Sequence, residues 1–193
     1  MSSEEREAEL QAVTIGPLEF LDGAVTLHEY DPRWPQWFAR QAARIRAALG
    51  TRVLRLEHVG STAVPGLVAK PRIDVLLVVA EPADEAAYLP ALQAAGYMLR
   101  IREPDWHEHR LLRASDMDVN AHVFGPRSSE IERMLRFRDR LRSHAADRER
   151  YAAVKRELAA RTWRHVQDYA DAKTEVVEAI LRHAAQDEPT VEH

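Results

Sequence analysis

The stretch RIDVLLVVA (72–80) is almost continuously apolar once Asp74 is passed, the pattern of a central strand covered on both faces. Alternation on either side of it predicts further strands. AVTLHEY (24–30) alternates, and RVLRLEHV (52–59) sets Val53, Arg55, Glu57 and Val59 on one face against Leu54, Leu56 and His58 on the other. Short strand patterns follow at 97–102, 109–114 and 117–124. In the last of them Asp118, Asn120, His122 and Phe124 share a face. Helical periodicity covers 34–49, with Trp34, Trp37, Phe38, Ile45 and Leu49 as apolar contacts and Gly50 as the stop. It returns over 84–96, where Pro90 predicts a kink or a break. From 129 to about 185 the pattern is helical, with Ser128 or Ser129 as a cap and breaks near 144–147 and 161–163.

These elements predict an α/β protein of the α+β kind. A mixed-sheet core spans 23–126 and a C-terminal helical region, 127–185, packs against it. An N-terminal arm, mobile or a short helix, covers 1–22, and a disordered tail covers 186–193. The chain of 193 residues is 46 % apolar, enough to bury a core of that size. No run approaches the roughly 18 apolar residues of a membrane span, and the acidic opening MSSEEREAEL has no apolar signal core. A cytoplasmic protein without a membrane partner is the expectation. A net charge of −4 disfavours nonspecific nucleic-acid binding. The absence of cysteine removes disulfides, thiolate metal sites and cysteine nucleophiles.

Candidate chemistry starts between the two strands. Gly60, Ser61 and Thr62 open a loop that also holds Lys70. Glycine lets a backbone approach a phosphate closely, and the hydroxyls and the ammonium add donors. The spacing is not that of a P-loop, because Leu67 follows Gly66 where lysine should stand. A plain strand-to-loop connection is the competing reading. Against it stands Asp74, a carboxylate inside an apolar strand, which needs a cation or a metal as partner.

The helical region offers cations. On a helix at about 100° per residue, Arg138 falls within the apolar arc of IERMLRFRDRLR (131–142). Lys155 lies with Tyr151, Val154 and Leu158, and Lys173 with Tyr169, Val176 and Ile180. Either these stems snorkel to water or they meet an anion: Asp74, Glu57, Asp118 or a bound phosphate. Among the nine histidines, His58 and His122 sit at a strand end or on a polar strand face, suited to metal ligation or proton transfer. His107 and His109 would share a face if WHEHR were a strand and, with Asp74, would make a metal site; the alternative is a loop or a solvent face.

EHVGSTAVPGLVAKPRIDV, NAHVF, MLRFRDRLR, YAAVKREL and YADAKTEVV, in this order, with YDPRWP at 30–35, resemble the GrpB family over about 28–182. That family is placed in the nucleotidyltransferase superfamily of the DNA polymerase β type. The resemblance implies a mixed sheet flanked by helices, with the Gly-Ser turn opening on a nucleotide. Gly60-Ser61 and Asp74 match the Gly-Ser and the first acid of the superfamily's Asp-x-Asp/Glu pair, and Arg138, Lys155 and Lys173 match the helical motifs. The second acid would be residue 76, which is Leu76. The third position falls on the polar face of 117–124, at Asn120 or His122. A link to coenzyme A biosynthesis is implied, because such chains also occur fused to dephospho-coenzyme A kinase.

Three readings follow. The first is transfer of a nucleotidyl group from a nucleoside triphosphate to a small molecule or protein with Mg²⁺ or Mn²⁺. In it Gly60, Ser61, Thr62, Lys70, Arg138, Lys155 and Lys173 hold phosphate. Asp74, helped by Glu57 or His122, holds metal, and His58 or His122 moves a proton. The second is a degenerate module that binds a nucleotide or a coenzyme A-like ligand without transfer. The third is a histidine-metal hydrolase on His107, His109 and His122.

Overall fold

The computed structural model describes residues 2–21 and 25–187. The chain runs α1 (Ser3–Val13), α2 (Trp34–Leu49), β1 (Arg55–Val59), β2 (Ile73–Val78), α3 (Leu89–Ala94), β3 (Tyr97–Glu103), β4 (His109–Ala114) and β5 (Val119–Phe124). Four helices follow: α4 (Ser129–Ser143), α5 (Ala145–Ala159), α6 (Val166–Asp171) and α7 (Thr174–Gln186). The strands form one mixed sheet in the order β1-β2-β5-β4-β3. Among the described residues only β2 and β5 pair in parallel; the other pairs, β1 with β2, β3 with β4 and β4 with β5, are antiparallel. The α+β architecture with its C-terminal helices is as the pattern predicts.

Strand alternation decides what each face carries. One face presents Leu56, Ile73, Val75, Leu77, Val119, Ala121, Val123 and Leu112, which pack with Trp34, Ala42, Ile45 and Leu49 of α2. The other presents Val59, Leu76, Val78 and Phe124, covered by Ile131 and Leu135 of α4. The register sets Asp74 opposite Asn120, and Leu76 opposite His122 and Glu57, on this second face.

The loop between β1 and β2 is not a surface connection. Val64, Leu67 and Val68 are buried with Leu141, Tyr151, Ala152, Val176 and Ile180 of the C-terminal helices. This apolar plug joins the sheet to the helical region and pulls the Gly60 turn beneath α5 and α7.

Four segments take the following forms. The alternating stretch at 24–30 is, within its described residues, extended chain with one bridge, His28 to Ala69, because no strand lies alongside to continue the ladder. The helix over 84–96 divides into a short 3-10 turn, Glu85–Ala87, and α3, with Pro90 in the first turn of α3. The N-terminal arm is a helix with a Ser2/Glu5 capping box. It is docked by Arg6 to Asp168 and Asp171, and the chain after it by Ile15 N–H to Arg100 O at 2.8 Å and by Arg113 to Glu19. α7 ends at Gln186, inside the stretch expected as a tail, and the rest of that stretch from 188 lies outside the described residues.

Asp147 ties three of the C-terminal helices. Its side chain is 8 % exposed and accepts from Arg140 Nε at 2.6 Å and from His183 Nδ1 at 2.9 Å. Burial alone would raise this carboxyl, but His183 and Arg140 outweigh it and hold it below the ordinary range. A carboxyl depressed in the fold stabilises above its unfolded value and loses that contribution as pH falls through the folded one. Asp147→Ala is therefore expected to cost about 3 kcal/mol at pH 7, the scale of a broken buried pair, in urea unfolding. The deficit should shrink near pH 3.

Candidate functional site

β1 ends on Gly60, whose φ of +70° and ψ of −170° lie in a region essentially reserved for glycine. A Cβ there would overlap Asp74 Oδ2 and come to 3.0 Å from the Asp74 Cβ and Cγ. The Gly-Ser turn thus exists in part to let the Asp74 carboxylate lie against the backbone. Ser61 then faces Tyr151 of α5.

Asp74 is 25 % exposed at its side chain. Asn120 Nδ2 donates to its Oδ1 at 3.1 Å, and His122 Nε2 lies 3.7 Å from the same oxygen. Burial would raise the carboxyl; His122, Arg72 and Asn120 more than offset that and hold it below the usual range. The Asn120 Oδ1 atom is buried with no hydrogen-bond partner.

Behind His122 runs a chain of contacts towards the sheet edge. His122 Nδ1 meets His109 Nε2 at 3.2 Å, and His109 Nδ1 meets Glu103 Oε2 at 2.6 Å. A carboxylate only accepts, so His109 Nδ1 carries the proton of that bond. Burial lowers the His109 pKa, partly opposed by Glu103.

Opposite Asp74 stand three lysines. Lys155 is 3 % exposed; its Nζ donates to Val68 O and lies 5.2 Å from the Tyr151 ring. Lys70 and Lys173 place their Nζ atoms 4.7 and 4.5 Å from the Tyr169 ring. The Tyr169 hydroxyl is buried without a partner in a residue 3 % exposed. All three lysines are held below their ordinary pKa, first by burial and then by neighbouring cations. For Lys173 these are Lys70 and Arg72, and it falls to about 8; Lys155 is held well below its ordinary value, with Lys173 the next cause after burial. Asp74 is the carboxylate that acts on all three and partly opposes the fall. The arrangement is a group of lysines around two tyrosines with Asp74 as the acid common to all three, joined by Asp118 at Lys70 and Asp171 at Lys173; such a group is a receptor for an anion.

The structure places the other expected residues differently. Arg138 Nη1 donates to Glu57 Oε2 and to the His58 carbonyl, both at 3.0 Å, and its Nε and Nη2 bind Asp139. It braces the end of β1 instead of joining the lysines, and Glu57 is occupied by it and by Arg55. His58 lies on the α2 side of the sheet, stacked on Phe38 with ring centroids 4.7 Å apart. Burial drives its pKa to about 4. Thr62 donates to Arg72 O at 3.1 Å and meets His58 Nε2 at 3.0 Å, so its hydroxyl clasps the loop. His107 and Glu108 take positive φ in the turn before β4. That turn leaves His107 outside the sheet, whereas His109 opens β4, so the H-x-H pair does not lie on one strand. Sequence reasoning did not single out Tyr169, Glu103 or Arg72. Tyr169 was visible only as a stripe residue beside Lys173.

A metal fits this donor set poorly as a pair of ions. Among the described residues no group of three His, Asp or Glu side chains surrounds a common point. Leu76, where a second acid would stand, is fully buried in the apolar cluster under α4. A single hard cation on Asp74 fits only if a ligand's oxygens complete its shell.

Fold and site together define an α+β protein whose sheet packs a lone carboxylate against a Gly-Ser turn, under a C-terminal helical layer that supplies lysines. The GrpB protein family model matches residues 24–183, and the chain belongs to that family. It is 56 % identical over 183 residues to a UPF0157 protein of Halalkalibacterium halodurans, covering 95 % of this chain and 94 % of that one. The crystal structure of conserved protein GrpB from Enterococcus faecalis matches with a TM-score of 0.70 at 29 % identity, over 83 % of this chain and 98 % of that one. A dephospho-CoA kinase of Mycolicibacterium paratuberculosis is 43 % identical over 70 residues, 35 % of this chain and 17 % of the kinase. Among the described residues no helix is long and apolar enough to cross a membrane.

Proposed function

We propose that this protein binds a nucleoside triphosphate or a similarly phosphorylated ligand, with its phosphates on Lys70, Lys155 and Lys173 beside the Gly60-Ser61 turn. The observation that carries the reading is the grouping of three lysines, one of them almost completely buried, around Tyr151 and Tyr169 with Asp74 as their shared acid. Amines gathered there at a cost in solvation are matched by an anionic ligand. Asp74 would hold one Mg²⁺ or Mn²⁺ on the phosphates, and the ion would draw charge from them. Binding without turnover is the version this geometry favours, because Leu76 is built into the core and leaves a two-metal clamp incomplete.

A second reading, nucleotidyl transfer to a small-molecule or protein acceptor, is favoured by one detail. Asn120 Oδ1 is buried and unpartnered next to Asp74, so an acceptor atom is left for a cation or a ligand hydroxyl. The short match to a dephospho-CoA kinase makes coenzyme A derivatives, which also carry phosphates, the natural comparison ligands.

A thermal-shift series with nucleoside triphosphates and coenzyme A derivatives, with and without Mg²⁺, tests the reading. The wild-type protein should be stabilised by at least one of these ligands. Asp74→Asn should keep the metal-free response and lose the increment added by Mg²⁺. No shift with any of them would refute binding, and steady pyrophosphate release would replace the binding reading with the transferase one.

A further inference from the structure

We propose that the lysine cluster is proton-coupled: its anion enters together with one proton, which is taken up on the Lys155 amine. This rests on the reading of the cluster as an anion site and adds how the site is regulated by pH.

The geometry around Lys155 carries the inference. The residue is 3 % exposed on α5, and its Nζ hydrogen-bonds a neutral carbonyl, Val68 O. A neutral amine keeps the N–H that this bond requires, so loss of a proton leaves the contact intact. Its other contact is a neutral ring, Tyr151, on the same helix. Among the described residues no carboxylate forms an ion pair with it.

The charged groups acting on it come from four directions. Lys173 does so from the start of α7, Lys70 from the loop before β2 and Arg156 from its own helix, all positive; Asp74 on β2 is the opposing charge. Three cations against one acid disfavour a further positive charge on so buried an amine. The direction of the Lys155 pKa, well below that of a free lysine, agrees.

An incoming phosphate reverses this balance. Its oxygens supply the negative charge that Asp74 alone does not, and the lone pair of the Lys155 amine takes a proton from the buffer to give an ammonium. No bond in the ligand is made or broken. Lys173, with a pKa near 8, is already mostly protonated at neutral pH, so Lys155 is the group left to load.

Isothermal titration of the full chain with metal-free adenosine triphosphate at pH 7.5 tests this, in several non-phosphate buffers of different ionisation enthalpy. The slope of the observed enthalpy against buffer ionisation enthalpy should report uptake of about one proton per ligand bound. Lys155→Arg, which keeps its charge, should still bind while uptake falls to a small remainder from Lys173. Lys155→Met should bind more weakly and also lose the uptake. Wild-type binding with no uptake would overturn the proposal and leave the anion site standing. Undiminished uptake in Lys155→Arg would overturn it as well. No binding of adenosine triphosphate by the wild type would remove the nucleotide reading and this inference with it.

Discussion

Gly60→Ala should lower the unfolding free energy by about 3 kcal/mol, the combined scale of a forbidden backbone conformation and a displaced neighbour. The residue adopts φ +70°, ψ −170°, where a side chain is strained whatever the space around it. The added carbon would also overlap the carboxylate of Asp74. To escape, Asp74 must rotate away from Asn120 and His122, or the turn must lift from β2. Either movement displaces Ser61 from Tyr151 and weakens phosphate binding as well as stability. Asp74→Ala in the same background should recover part of the loss, since it removes the overlapping oxygen and leaves the backbone strain. A double-mutant cycle in urea should show coupling of about 1 kcal/mol between the two positions. Additive losses would mean that the close approach of turn and carboxylate has no energetic content.

The second large effect concerns Lys155 and Lys173 changed together to methionine. Each amine has a lower pKa in the fold than in the unfolded chain. The unfolded state therefore binds more protons between those values, and wild-type stability rises with pH across that window. For Lys173 the window runs from about 8 towards the ordinary lysine value of 10.5. Below it the destabilisation is present in full. Methionine keeps most of the stem volume and removes the charge, so the ligand-free double variant should melt about 3 °C higher at pH 7. It should also lose the rise in stability with pH. Affinity for a triphosphate should fall by about 100-fold, the loss of two charge-assisted contacts of roughly 1.5 kcal/mol each. A variant that is both less stable and equally avid would assign these lysines a structural role only.

Much of this fold is legible in the sequence because its strands and helices are periodic. The apolar run after Asp74 becomes the central β2, and the alternation in 117–124 puts Asn120 and His122 on the face of Asp74. The helical wheel places Arg138, Lys155 and Lys173 towards the interior. It does not specify which atom each one reaches. Arg138 lies on α4 over the end of β1, where Glu57 and the His58 carbonyl are in reach. Lys155 and Lys173 lie over the loop and Tyr169.

Where periodicity stops, the sequence says little. Lys70 is in a loop and Tyr169 on a six-residue helix, so neither stripe nor alternation points to their meeting. The apolar residues Val64, Leu67 and Val68 that carry the turn into the helices have the i, i+3, i+4 spacing of a helix face, but Pro65 and Gly66 between them make a turn instead. His107 and His109 alternate on paper, but positive φ at His107 and Glu108 turns the chain between them. The side of the sheet taken by His58 follows from strand alternation. Its burial against Phe38 does not, because it depends on where α2 packs.

A crystal structure of the protein with a non-hydrolysable nucleoside triphosphate and Mg²⁺ tests the central claim most directly. The account predicts phosphate oxygens within hydrogen-bond distance of Lys155 and Lys173, next to the Gly60-Ser61 turn, with any metal on Asp74. Phosphates seated elsewhere, with the three lysines still facing Tyr151 and Tyr169 unchanged, would contradict it.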